Sequence, residues 1–331
     1  RSALGDTCMY NHIYTTYVIN RNILESRPLF DSRAFYPSAN SLLYWDPSIF
    51  QSVLILPIFN FIRHNPNIVY NSIIILMTFL KILFALWCGW RIAGSLLLGV
   101  LFSIIVNANP YITFEFPRFH IYFYGFIILI VYILIELLNK YDYKKYLALG
   151  ALLVLQTYSS FNHLFFVSLI LFIFFLILIF DHDSVFKNKS LKAFILSIGC
   201  FFIINIPLLI KVQESSIGQG VFGWTPADYY NIPIKRYFTN FFSNLAALSL
   251  NNFNVYPMLL IVFIPVFGII RIKQKIKLFL VLSVLFLIVS NLDIVYFQLI
   301  RVFPFSMFRS YFRSIELLFL LLAYIAFYSM N

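Results

Sequence analysis

Carboxylates in short polar segments are the residues of this chain that could carry out acid–base chemistry. Asp6 and Asp46 lie within residues 1–47, and Glu115 lies in the segment NPYITFEFPRFH at 109–120. A positioned carboxylate can act as a general base on a hydroxyl or amine acceptor. We therefore take Asp6, Asp46 and Glu115 as candidate catalytic residues. A helix cap is the alternative role for Asp6 and Asp46.

Two arginines form the clearest candidate anion site. Arg309 and Arg313 are four residues apart in FPFSMFRSYFRSIELL, so in a helix they share one face and repel each other unless an anion lies between them. Guanidinium groups bind phosphate in a bidentate manner. The phosphate of a lipid headgroup and the phosphate of a lipid-linked donor both remain open as partners. The other candidate substrate-binding residues of these polar segments are His12, Arg33, Tyr36, Arg118 and His120.

The elements that must position these residues are long apolar runs. Hydrophobic residues make up 61% of the 331 residues and charged residues only 11%, whereas soluble domains contain about 25% charged residues. Runs such as 164–180 show no alternation of apolar and polar residues, which excludes a transmembrane β-strand. Backbone hydrogen bonds must be satisfied inside each spanning segment. The composition therefore predicts an all-α, polytopic transmembrane bundle.

The apolar runs predict nine membrane-spanning helices. An apolar but short stretch at 48–62, which contains Pro57, is expected to lie at the membrane interface or to re-enter the membrane. The nine predicted spans are 67–90, 94–108, 120–139, 146–158, 162–180, 193–211, 256–271, 277–292 and 314–330.

Lysine distribution predicts the orientation of the bundle. Nine of the twelve lysines lie in the short segments 140–145, 181–192 and 271–277, which fall on one side if the spans alternate. The positive-inside rule makes that side cytoplasmic. Lys81 lies within the first span and is expected to snorkel towards the cytoplasmic side, with a pair to Glu316 as the alternative.

Several short motifs occur in an order that resembles one family. They resemble polytopic bacterial and archaeal membrane glycosyltransferases of the C-type (GT-C) superfamily, in the branch with a GD…H…FYP pattern in its first outer loop. The motifs that carry the resemblance are GD at 5–6 with His12, DSRAFYP at 31–37, WD at 45–46, NPY at 109–111 and FPFSMFRSYFR at 303–313.

The resemblance implies one GT-C-like transmembrane domain over residues 1–331. Because the family's first outer loop follows its first transmembrane helix, we expect the chain to lack that helix. The lysine-bearing loops then face the cytoplasm of a prokaryotic cell, and the active site faces outward from the cytoplasmic membrane. The expected outer loops are 1–47, 109–119, 212–255 and 293–313.

The resemblance also implies an activity and roles for individual residues. Such enzymes transfer a sugar from a polyprenyl-phosphate carrier to a glycan, lipid or protein acceptor. By position, Asp6 is the catalytic base or a metal ligand, and Arg309 and Arg313 hold the donor phosphate. Asp46 and Glu115 are candidates for a second acid or an acceptor contact. Mg²⁺ or Mn²⁺ is the cofactor that the resemblance allows, although no Asp-x-Asp pair occurs in residues 1–47.

Two other functions remain open at this point. A polysaccharide polymerase or ligase would also bind lipid-linked substrates through outer arginines, and Asp6 would matter less. A transporter or flippase would need essential charges within the membrane, where the sequence offers little beyond Lys81. The chain has no phosphate-binding glycine loop and no cluster of metal-ligand residues, and nothing in it predicts nucleic acid as a partner.

Overall fold

Every regular element that the structure describes is an α-helix. The structure is a computed structural model that describes residues 7–29, 49–107, 124–214, 272–290 and 314–330, and it contains no β-strand within them. The ten helices are α1 (Thr7–Leu24), α2 (Ile49–Ile62), α3 (Pro66–Ala93), α4 (Leu96–Asn107), α5 (Gly125–Asn139), α6 (Tyr143–Ser159), α7 (Phe161–Ile179), α8 (Ser184–Glu214), α9 (Gln274–Ser290) and α10 (Ser314–Met330).

Two helices are long and apolar enough to cross a bilayer. They are α3 and residues 184–211 of α8, with mean hydropathy values of 2.1 and 2.5. Both present large apolar side chains outward: Ile75 on α3 is 69% exposed, and Ile203 on α8 is 68% exposed. Contiguous exposed apolar surface is unfavourable in water and favourable against lipid. The all-helical prediction is confirmed for the described residues, and a membrane-embedded bundle is compatible with these two helices.

Side-chain caps explain why two helices begin earlier than the apolar runs predict. Asp142 accepts a hydrogen bond from the Lys144 N–H at 2.9 Å, so α6 starts at Tyr143. Asp183 accepts from the N–H groups of Val185 and Phe186 at 3.1 and 3.0 Å, ahead of a span predicted at 193–211. Capping stabilises a first turn irrespective of its hydropathy. Lys187, Lys189 and Lys192 therefore lie on α8 rather than in a loop.

Small residues allow α3 and α4 to pack closely as a hairpin. Gly94 ends α3 with φ 67°, a left-handed conformation that glycine adopts without a Cβ clash. A Cβ on Gly99 would lie 2.9 Å from the Leu86 carbonyl oxygen. The Ser103 hydroxyl donates to the Ile82 carbonyl at 3.1 Å. Close backbone approach through small residues is typical of helix pairs in membranes.

Helix α5 is the centre of the bundle. It packs against α3, α6, α7 and α9, and eleven of its fifteen residues are buried. The Tyr324 hydroxyl on α10 donates to the Ile128 carbonyl at 2.6 Å. Tyr324 is itself fully buried and packs edge-on against Phe102 of α4. Helix α5 therefore contacts both α3, from the early part of the chain, and α9 and α10, from its late part.

Two ion pairs define one end of the bundle, which we call the lysine end. Lys145 at the start of α6 lies 3.0 Å from Glu136 at the end of α5, and Lys275 at the start of α9 lies 2.6 Å from Asp181 after α7. Helices α6 and α7 meet at Ser160. Ser160 therefore marks the other end of the bundle, which we call the opposite end.

A buried polar layer at the opposite end

The residues predicted from the sequence to form a site lie almost entirely outside the described part of the chain. His12 lies within α1, and Asp6 is the residue immediately before this helix. The structure does not describe the side chain of His12. The predicted site residues outside the described ranges are Asp6, Arg33, Tyr36, Asp46, Glu115, Arg118, His120, Arg309 and Arg313.

Three segments that carry these residues join described helices at the opposite end. Residues 30–48 run between Leu29 and Ile49, which belong to one apolar cluster with Tyr158 of α6. Residues 108–123 run between α4 and Tyr124, whose hydroxyl donates to the Val106 carbonyl. The third segment, 291–313, connects the end of α9 to the start of α10. Since α9 starts at the lysine end, the flanking ends of all three segments share the opposite end.

The same end contains a buried polar layer between helices. Gln51 on α2 donates through Nε2 to the Ser159 hydroxyl at 2.8 Å and to the Ser159 carbonyl at 3.3 Å. Both residues are fully buried. This contact joins residues 108 positions apart, and it holds the start of α2 against the end of α6. The buried side chains of the layer, all at 0% exposure, are Thr15, Thr16, Asn20, Gln51, Ser52, Gln156, Thr157, Ser159, Ser160 and His163.

Apart from the imidazole of His163, the buried side chains of this layer carry amide and hydroxyl groups. Such groups hydrogen-bond to neutral polar ligands and to water without the desolvation cost of a buried charge. The layer therefore has the composition of a site for a neutral polar group, whereas the residues predicted to bind phosphate lie in segments that the structure does not describe.

Lys81 lies inside the bundle, beside the start of α5. Its side chain is fully buried, and Nζ lies 5.1 Å from the centroid of the Tyr124 ring. Tyr124 precedes Phe126, whose ring packs against Phe50 beside Gln51. The expectation that Lys81 snorkels to the cytoplasmic side is therefore wrong. The ring of Tyr124, just before α5, provides an aromatic face for the ammonium group inside the protein.

Arginines at the end of α1 pair with an acid. Arg21 and Arg27 lie 2.9 and 2.7 Å from the carboxylate of Glu25. The hydrogen bond from Arg21 lowers the pKa of Glu25, and burial opposes this only in part. All three side chains are exposed, so the ion pairs contribute little to stability. These two arginines are engaged locally and do not form an empty anion site.

The amides of the layer are not among the residues predicted from the sequence, because that prediction rests on ionisable residues. Gln51 interrupts the apolar stretch 48–62, and Gln156 interrupts the span predicted at 146–158. A polar residue in an apolar run is expensive unless it has a partner in the interior. That signal was present in the sequence. Over the described residues, no group of three or more His, Cys, Asp or Glu side chains is placed to hold a metal ion.

Comparison with known proteins leaves the resemblance to glycosyltransferases untested. No family model matches the chain, and no curated protein or solved structure shows significant similarity to it.

Proposed function

We propose that this protein is a membrane glycosyltransferase of the GT-C type that transfers a sugar from a polyprenyl-phosphate donor to an acceptor at the extracytoplasmic face. The observation that supports this most is the common location of the helix ends that flank residues 30–48, 108–123 and 291–313. Apart from Asp6 and His12, these segments contain all the candidate site residues: Arg33, Tyr36, Asp46, Glu115, Arg118, His120, Arg309 and Arg313. Segments that are attached to helix ends at the same end of the bundle can contribute to one site.

The proposal includes nine spans with the lysine end in the cytoplasm. Helix α8 ends at Glu214 on the opposite end, and the chain returns at Ile272 on the lysine end. The proposed span 256–271 would return the chain from the opposite end to the lysine end. The concentration of lysine at one end follows the positive-inside rule.

The proposed reaction needs a base and a group that stabilises the leaving phosphate. Asp6 takes the proton of the acceptor hydroxyl, and the acceptor oxygen attacks the anomeric carbon. The bond between that carbon and the phosphate oxygen breaks, and polyprenyl phosphate leaves as an anion. Arg309 and Arg313 stabilise its negative charge. Attack opposite the leaving group inverts the anomeric configuration.

The test is transfer of labelled sugar by membranes that contain the protein. A polyprenyl-phosphate donor with a radiolabelled hexose is added, and label is followed into lipid, glycan and protein fractions. Asp6→Asn should reduce transfer by about 10²–10⁴-fold, the usual contribution of a general base. Asp183→Asn is the matched control, because it changes an acid at the lysine end and preserves the helix cap.

Each outcome separates the candidate functions. Transfer by Asp6→Asn at the wild-type rate contradicts the assigned role. Joining of two lipid-linked glycans with little dependence on Asp6 identifies a polymerase or ligase instead. Movement of the lipid-linked sugar across the bilayer with no transfer identifies a flippase.

A further inference from the structure

Helix α8 is longer than the hydrocarbon core of a bilayer. Its 31 residues span about 46 Å, whereas the core is about 30 Å thick. Residues 193–210 form a run without a charged side chain, and a helix of that length covers about 27 Å. When this run fills the core, Lys192 lies at its boundary on the lysine side, and Lys189 lies one turn further out, among the lipid headgroups.

One face of α8 carries basic and apolar residues in the order in which a phospholipid presents its phosphate and its chains. Lys189, Lys192, Leu196 and Ile203 follow one another at spacings of three, four and seven residues, so they share a helix face. Both lysines are exposed, and Leu196 and Ile203 are 62% and 68% exposed. The helix packs against α6 and α7, and this face points away from them.

The two lysines have no acid as a partner within the described part of the chain. None of the ion pairs found there includes Lys189 or Lys192. The acids nearest in sequence are already engaged, because Asp183 caps α8 and Asp181 pairs with Lys275. Like charges three residues apart on one helix face repel each other. An anion beside both ammonium groups would therefore be favourable.

Gly199 leaves a depression in the apolar part of the same face. It lies between Leu196 and Ile203, and a Cβ at this position would meet nothing within 4 Å. A residue without a side chain between two large exposed ones gives a hydrocarbon chain room to approach the helix and gain van der Waals contacts.

From this arrangement we infer that the outward face of α8 binds an anionic phospholipid of the leaflet on the lysine side. The phosphate lies between Lys189 and Lys192, and one acyl chain runs along Leu196, Gly199 and Ile203. Lysines at the membrane surface attract anionic lipids. A phospholipid supplies both the anion and the chain, whereas free phosphate supplies only the anion. This site lies at the lysine end, away from the proposed reaction, and goes beyond it.

The test compares an anionic lipid, a zwitterionic lipid and free phosphate. Native mass spectrometry of the purified protein in a neutral detergent counts bound molecules and gives their affinities. Dioleoyl phosphatidylglycerol, dioleoyl phosphatidylcholine and inorganic phosphate are added at equal phosphate concentrations. We expect the first phosphatidylglycerol to bind at least about tenfold more tightly than phosphatidylcholine, and inorganic phosphate to give no measurable binding.

The decisive variants remove one charge each. Lys189→Gln and Lys192→Gln change exposed side chains, so both should fold normally, and each should bind phosphatidylglycerol about fivefold more weakly. Lys140→Gln and Lys144→Gln are the matched controls, because they make the same change at exposed positions of the lysine end. Asp142 lies between these two lysines in the sequence and balances their charge, so the controls should keep the wild-type affinity.

A further variant tests where the acyl chain lies. Phosphatidylglycerol with a photoreactive group in its acyl chain should label residues 193–210 of the wild type. Gly199→Leu fills the depression without changing the charge, and it should reduce both this labelling and the affinity for phosphatidylglycerol.

Three results would overturn the inference. If Lys189→Gln and Lys192→Gln bind phosphatidylglycerol as tightly as the control variants, the two lysines are only solvated. If inorganic phosphate binds as tightly as phosphatidylglycerol, the lysines form an anion site without a lipid. If the photoreactive chain labels other helices and leaves α8 unlabelled, the chain does not lie on this face.

Discussion

Tyr124 has two separable roles at the residue scale. Its hydroxyl donates to the Val106 carbonyl at the end of α4, and its ring faces the ammonium group of Lys81. Tyr124 is only 2% exposed, so both interactions take place in a poorly solvated environment. Cation–π interactions gain strength when they are desolvated. Tyr124 therefore connects α3, α4 and α5 beside the polar layer.

Removing these interactions one at a time should give a graded loss of stability. Tyr124→Phe loses the hydrogen bond and should lower the free energy of unfolding by about 1 kcal/mol. Tyr124→Leu also loses the aromatic face and should cost about 1–2 kcal/mol more. Unfolding in detergent measures both variants. The same two substitutions at Tyr143, which is 56% exposed, are the controls and should change the free energy of unfolding little. Equal losses for Tyr124→Phe and Tyr124→Leu would contradict the cation–π contribution.

Lys81 and Gln51 show why prediction from the sequence succeeded only in part at the scale of single residues. The sequence places Lys81 inside an apolar run, but depth along α3 does not reveal that Tyr124, 43 positions later, covers its ammonium group. Gln51 is similar, because its partner Ser159 is 108 positions away. Periodicity reports which face a residue occupies, whereas side-chain partners depend on which helices become neighbours.

At the scale of elements, the α3–α4 hairpin depends on the absence of side chains. A Cβ on Gly99 would meet backbone atoms of α3 at 2.9 Å, and a Cβ on Gly89 would lie 2.6 Å from that of Phe102. Contacts this short require one helix to shift. The hairpin therefore tolerates only glycine at these crossing points.

Alanine should separate this crossing from an ordinary helical glycine. Gly99→Ala should lower the free energy of unfolding by about 1–3 kcal/mol, because overpacking forces backbone movement. Gly199 is the matched control, since a Cβ there would meet nothing within 4 Å. Gly199→Ala should be neutral or stabilising by up to about 1 kcal/mol. Equal effects of the two substitutions would show that helix propensity, not close packing, controls this hairpin.

The ion pair between Asp181 and Lys275 connects α7 to α9 and should make stability depend on pH. Burial raises the pKa of Asp181, but hydrogen bonds from Lys275 and from the Asp183 N–H outweigh it and lower the pKa below its ordinary value. A carboxyl whose pKa is lowered by folding stabilises the fold above its unfolded pKa of about 3.9. That contribution is lost as the pH falls through the pKa of the folded state.

Lys275→Met should therefore have an effect that disappears in acid. At pH 7 the variant should lose about 0.5–1 kcal/mol of stability, a modest value because the lysine side chain is half exposed. Below about pH 4 its unfolding midpoint should approach that of the wild type. Lys273→Met, at an exposed neighbouring position, should match the wild type throughout. A loss of the same size at pH 3 and pH 7 would assign the effect to packing.

Helix existence was more predictable than helix bounds. Every predicted span that falls in the described ranges corresponds to a helix, because each apolar run continues over several helical turns. The bounds differ most at α8, which starts nine residues before the predicted span. Hydropathy reports where a chain is apolar, whereas the cap at Asp183 sets where the helix begins.

At the scale of the whole molecule, the proposed orientation in the membrane puts the opposite end, and with it the proposed reaction, outside the cell. Single cysteines at His64 and Asn188, in a background of Cys8→Ser and Cys200→Ser, would report it. Both positions are exposed: His64 lies in the α2–α3 turn at the opposite end, and Asn188 lies near the lysine end. An impermeant maleimide added to intact cells should label only His64→Cys, and labelling of Asn188→Cys alone would invert the proposed topology.

The central claim is sugar transfer at the opposite end, and one measurement tests it most directly. Proteoliposomes of known protein orientation are supplied from outside with a radiolabelled polyprenyl-phosphate hexose and a membrane extract as the acceptor source. The account predicts release of polyprenyl phosphate and label in a new product only when the opposite end faces the donor, with both lost in Asp6→Asn. Turnover from the lysine end, or turnover that is unchanged in Asp6→Asn, would contradict it.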